Sequence, residues 1–135
     1  MKDLQLLALA KQAREQAYAP YSGVTVGAAL ETLAGKVYLG CNIENAAYGP
    51  TNCAERTAFF KAVSEGERQF RAIAVVGGKD GAPGGFFPPC GVCRQVMREF
   101  CAGDFLIYLQ GPDGTVKTMT LAELLPQSFG PENVR

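Results

Sequence analysis

From Val24 onward the sequence alternates short β-rich runs with helical ones, and that alternation constrains the fold more than any other feature. "VTVGAALET" and "KVYLGCNIE", joined through Ala34 and Gly35, read as two strands of a hairpin. "AERTAFFKAVSEG" carries a helical pattern and stops at Gly66, a residue suited to the left-handed position after a helix. "RAIAVVG" reads as a buried strand, "GGKDGAPGGFFPP" as loop, "GVCRQVMREF" as helix and "FLIYLQ" as strand again. "PDG" at 112 to 114 is a turn, and Thr120 with Glu123 makes a capping box for a last short helix, "LAELL", ended by Pro126. Ahead of all these, Leu6, Leu9, Ala10, Ala13 and Ala17 recur at helical spacing from Asp3 to Tyr18, with Pro20 beyond. Alternation of this kind implies one α/β sandwich with helices on both faces of a sheet.

Length agrees with a single domain over 1–135: 135 residues, 47% of them hydrophobic, are enough for one core and too few for two. Thirteen basic residues balance thirteen acidic ones, so no net field draws the chain to nucleic acid or to an acidic membrane surface. Lys11, Arg14 and Glu15 interrupt the N-terminal apolar stretch well short of a spanning length, and no small-residue cleavage site follows it. The expected setting is therefore the cytoplasm, and the expected partner a small, roughly neutral molecule. Five cysteines, an odd number with two closely paired, favour metal or thiol chemistry over a disulfide framework.

The strongest local signal is "PPCGVCRQVM". Cys90 and Cys93 lie three apart where a loop enters a helix, a spacing that lets two thiolates share one ion. Two other readings remain open at this stage, a pair of buried small hydrophobes and a redox pair at a helix start. The chain has no histidine, so further ligands must come from Cys41, Cys53, Cys101 or carboxylates. Cys53 is the best third ligand, because it too precedes a helix, and two helix N-termini with partial positive charge would favour thiolate. Cys41, in a strand, and Cys101, near a helix end, read as ordinary packing. A fourth cysteine ligand would close the site and make it structural, whereas three leave a position for water.

Glu55 and Arg56 follow Cys53 directly. A carboxylate there is placed to take a proton from an activated water and hand it on, and a guanidinium beside three thiolates offsets their negative charge. An acid that merely complements the helix dipole and a solvated arginine are the plainer alternatives.

A Cys-x-Glu followed by Pro-Cys-x-x-Cys, each opening a helix, resembles the zinc-dependent nucleobase deaminases. "YAPYS", "VGAAL", "GCNIENAAY", "NCAERTAFFKAV", "PCGVCRQVM" and "LLP" followed by Phe129 are similar, in order and over nearly the whole chain, to the small homotetrameric cytidine deaminases. The resemblance implies a three-layer α/β/α sandwich with a mixed sheet of about five strands. It implies one Zn²⁺ per subunit on Cys53, Cys90 and Cys93, with Glu55 carrying protons and Arg56 compensating charge. The activity implied is deamination of cytidine and 2′-deoxycytidine in pyrimidine salvage, the alternative being a modified cytosine nucleoside or a blasticidin S-like compound.

Substrate contacts follow from the same likeness. Asn42 and Glu44 of "CNIEN" would hold the sugar, and strand alternation does place both on one face. Val24 and Ala54 belong with the base pocket, while Tyr48 and Phe129 would complete sites in neighbouring subunits of a homotetramer. Many relatives have Phe where this chain has Val24. With the long 77–89 loop and its Phe86 and Phe87, the smaller residue predicts a pocket more tolerant of substituted cytosines.

Overall fold

The computed structural model describes residues 1–135. Five strands form one sheet: β1 (Val24–Thr32), β2 (Val37–Cys41), β3 (Phe70–Lys79), β4 (Leu106–Gln110) and β5 (Val116–Thr120). The helices are α1 (Asp3–Arg14), α2 (Ala54–Ser64), α3 (Gly91–Phe100) and the short α4 (Leu121–Leu124), and a 3₁₀ turn at Pro131–Asn133 follows. Spatial order is β2-β1-β3-β4-β5. β1 runs antiparallel to both β2 and β3, and β5 to β4, while β3 and β4 are parallel. A parallel pair needs a crossover, which α3 supplies.

Alternation along the strands divides the core between two faces. Leu6, Leu7 and Ala10 of α1 pack against Ala29, Ala72, Ala74 and Val76 on one face. On the other, Ala58 and Phe59 of α2 and Met97 of α3 cover Leu30, Ile73, Val75, Ile107 and Leu109. This is the expected sandwich with a mixed five-stranded sheet.

Two glycines let helices sit directly on the sheet. A Cβ on Gly27 would run into the backbone of α1 at Ala10 and Arg14, and one on Gly40 would stand 2.6 Å from the backbone nitrogen of Ala58 in α2. The second contact fixes the first turn of α2 over the end of β2, where the chemistry lies.

Some elements differ from the sequence reading. α1 ends at Arg14 and not near Tyr18, because Gln16 and Ala17 donate three residues back, to Ala13 and Arg14, in a tighter turn. There Arg14 Nε reaches across to the carbonyl and hydroxyl of Thr25, both at 2.9 Å. β5 carries no apolar run and is half-buried or exposed along its length, as befits an edge strand whose signal in sequence is weak. The capping box at Thr120 and Glu123 forms as expected.

Candidate active site

β2 ends at Cys41, and the chain crosses the sheet edge before entering α2 at Cys53. Cys53 and Cys90 are equivalent: each is the extended residue before its helix, with φ −79° and −67°. The carbonyl of each accepts the first helical hydrogen bond, from Thr57 and Arg94. Neither thiol caps its own helix, so both sulfurs are free for other work. Cys93, one turn into α3, is buried and completes a cluster in which the three Sγ atoms lie within 4.8 Å of one another.

Cys53 Sγ and Cys90 Sγ are 3.8 Å apart. Tetrahedral zinc with Zn–S bonds of about 2.3 Å holds its sulfurs ~3.8 Å from each other, so the donor set fits that ion. Cys41 and Cys101 stay outside the cluster. Cys101 lies in the main core, where burial pushes its thiol up to about 12. Three convergent sulfurs are more than a two-thiol redox pair uses and one fewer than a closed structural site needs.

Within the cluster the neighbouring Cys93 thiol, helped by Arg56 and Cys90 against the cost of burial, lowers Cys53 to about 5. Cys93 is raised in turn, first by its proximity to Cys53 and then by burial. Arg56 Nη2 donates to Cys53 Sγ at 3.2 Å, while its Nε is buried without an acceptor. Burial opposes the Arg56 charge, yet the nearby sulfurs of Cys53 and Cys93 raise its pKa. The guanidinium is therefore committed to the thiolates and is no solvated surface charge.

Glu55 is the second residue of α2, only 4% exposed. Burial, reinforced by the negative charge of Cys53, pushes its carboxyl up to about 7, against the pull of its own backbone N–H and of Arg56. A carboxyl balanced between its two protonation states near neutral pH is suited to carrying protons.

The family model for the "Cytidine and deoxycytidylate deaminase zinc-binding region" matches residues 1–109. The chain belongs to this deaminase family. It is 54% identical over 130 residues to a cytidine deaminase of Sporosarcina psychrophila, covering 96% of this chain and 93% of that one. Against the cytidine deaminase of Halalkalibacterium halodurans it is 53% identical, covering 96% and 95%. The crystal structure of the cytidine deaminase from Burkholderia pseudomallei superposes with a TM-score of 0.88 at 50% identity, over 96% of this chain and all of that one.

A second cluster of polar side chains is built on the segment between β2 and α2. Ile43 and Asn52 exchange backbone hydrogen bonds, both 2.9 Å, in an isolated antiparallel bridge that closes the intervening loop. Beside the bridge, Glu44 Oε1 accepts from the backbone nitrogens of Tyr21 at 2.9 Å and Ser22 at 3.1 Å, and Oε2 accepts from Ser22 Oγ. The serine hydroxyl, followed by the two backbone donors, holds the Glu44 carboxyl below the usual range. Tyr21, Ser22, Glu44, Asn45, Tyr48 and Thr51 line a cavity of about 340 Å³. Tyr48 adopts φ 61° there and stands 73% exposed, its ring edge-on to Tyr21.

Asn42 is more occupied than the sequence suggests. Its Oδ1 accepts from Val26 N and its Nδ2 donates to Val24 O, both at 2.8 Å, leaving one side-chain N–H uncommitted. Ala54, the first residue of α2, is fully buried. Val24, half-buried, begins β1 and is tied to Asn42 through its carbonyl.

Phe129, whose local sequence also suited a core residue, is 61% exposed, its carbonyl held by Gln95 Nε2 of α3 at 2.8 Å. The two loop phenylalanines separate. Phe87 packs into the main core against Gly77 and Val26, on the sheet face that carries the cysteines. Phe86 lies against Gly111 beneath Lys117, at the β4–β5 end of the sheet. Tyr21 and Ser22, which bond Glu44 and line this cavity, escaped the sequence reading as candidate residues; the turn signal of Ser22-Gly23 was the available clue.

Proposed function

We propose that the chain is a zinc-dependent cytidine deaminase, hydrolysing cytidine and 2′-deoxycytidine to uridine and 2′-deoxyuridine with release of ammonia, as a step of pyrimidine salvage. The observation that carries this reading is the cluster of three thiol sulfurs, free of any fourth cysteine, beside a buried carboxyl. Held by Cys53, Cys90 and Cys93, a zinc ion supplies the Lewis acidity that makes water a nucleophile near neutral pH.

Glu55 then moves the protons. As water oxygen bonds to C4 of the base, Glu55 takes one proton from it and passes it to N3. The remaining hydroxyl proton travels by the same carboxyl to the 4-amino group, the C4–N bond breaks, and ammonia leaves a C4 carbonyl behind. Arg56 keeps Cys53 as thiolate and offsets the excess negative charge of three sulfurs. Glu44 and the free N–H of Asn42 meet the sugar, and the carboxylate of Glu44 would repel a phosphate, which favours nucleoside over nucleotide.

Val24 and the backbone of Ala54 border the base. Tyr48 and Phe129, both well exposed, reach the sites of neighbouring copies in a homotetramer. Activity on a small nucleoside suits the cytoplasm, and no helix is long and apolar enough to cross a membrane.

Purified protein tests the reading directly when metal content and product are measured in one preparation. One zinc per chain with uridine and ammonia formed in equal amounts is expected. Zinc-loaded protein that converts blasticidin S in a substrate panel but neither nucleoside would overturn it.

A further inference from the structure

We infer that Ser22 is a positioning residue that leaves Glu44 a single acceptor site, so that Glu44 recognises one sugar hydroxyl and not two. The inference deepens the reading above, because it rests on Glu44 as a sugar contact.

An ionised carboxylate has about four lone-pair positions over its two oxygens. On Glu44, the backbone nitrogens of Tyr21 and Ser22 take both positions on Oε1, and the Ser22 hydroxyl takes one on Oε2. One remains, on Oε2 of a residue that lines the 340 Å³ cavity. The serine hydroxyl cannot turn away, because its oxygen accepts from Val24 N at 3.0 Å and its only proton is thereby directed to Glu44. Gly23, at φ 72°, permits the turn that brings both donors of Ser22 to the same carboxylate.

Without the hydroxyl, the carboxylate can swing about the backbone pair that holds Oε1, or Oε2 can take water, and the ligand must then reorder it. Ser22→Ala should therefore weaken recognition of that one hydroxyl and leave the chemistry at the metal end untouched. Ser22→Thr retains the donor on an exposed turn and should rescue it.

The experiment compares cytidine, 2′-deoxycytidine and 3′-deoxycytidine with zinc-loaded wild-type, Ser22→Ala, Ser22→Thr and Glu44→Gln enzymes. In the wild type, deletion of one hydroxyl should lower kcat/KM much more than deletion of the other. Ser22→Ala should lower kcat/KM about tenfold, mainly through KM, for substrates that carry the recognised hydroxyl, and leave the analogue lacking it unchanged. Ser22→Thr should stay within about twofold of wild type on all three.

A Ser22→Ala enzyme that slows all three substrates equally, or none, while Glu44→Gln loses the discrimination among them, overturns the inference alone. If Glu44→Gln treats the three substrates as the wild type does, the sugar contact itself is wrong and the inference falls with it.

Discussion

Replacing Glu55 by Gln removes the proton carrier while keeping its shape. General acid/base groups contribute roughly 10²–10⁴ in rate, and two features of this site place the loss near the upper end. The chain has no histidine to substitute, and the other ionisable groups at the site, the three thiols and Arg56, are bound to one another. A loss of ~10⁴ corresponds to about 5.4 kcal/mol of transition-state stabilisation. The fold should not suffer. Glu55 is buried and its pKa is raised to about 7 chiefly by that burial, so a neutral amide removes a desolvation cost instead of adding one. Single-turnover assays with cytidine, zinc analysis and thermal melts on the same preparation check all three expectations. A variant with full zinc and a rate within tenfold of wild type would refute the role of Glu55. Loss of zinc would instead make it a residue that holds the cluster together.

Gly40→Ala should destabilise the protein by about 1–3 kcal/mol in urea unfolding, since the new methyl meets the α2 backbone, and zinc should dissociate faster because the displaced turn carries Cys53. Unchanged stability and zinc retention would show that α2 can lift off the sheet freely. Glu31, 3% exposed, bears on acid stability: burial opposes its charge, but hydrogen bonds from the amino terminus and from Arg71 outweigh it and hold its pKa below 4.5. The native state thus binds fewer protons than the unfolded one. The contribution of Glu31 is fully present above pH 4.5 and fades as pH falls through the depressed value, so wild type and Glu31→Gln should converge in stability at low pH. Val24→Phe should lower kcat/KM for 5- or N4-substituted cytidines about tenfold relative to cytidine, and equal selectivity in the two enzymes would remove Val24 from the base pocket.

The cysteine cluster was legible because its residues carry their own positional signal. Cys90 and Cys93 share a helix turn, and Cys53 opens a second helix, so only the meeting of two N-termini had to come from the tertiary structure. The strands β1 and β3 were legible for the same reason, from local pattern alone. Other features depend on contacts distant in sequence. Glu44 is fixed by donors about twenty residues earlier, and the amide of Asn42 is consumed by β1 through a pairing that no local motif announces. Phe129 carries no local signal of its placement and lies on the surface, where Gln95 of α3 holds its carbonyl and Arg98 the hydroxyl of Ser128 beside it. β5 is weak in sequence because an edge strand with little burial needs no apolar alternation.

The reciprocal pairing of Ile43 with Asn52 works as a calliper. Its two jaws adjoin Glu44, the proposed sugar contact, and Cys53, a thiol of the sulfur cluster, so the separation of the two is set by two backbone bonds and not by the stretch of chain between them. Residues 45–51 can therefore be lengthened or rewritten without altering the gauge.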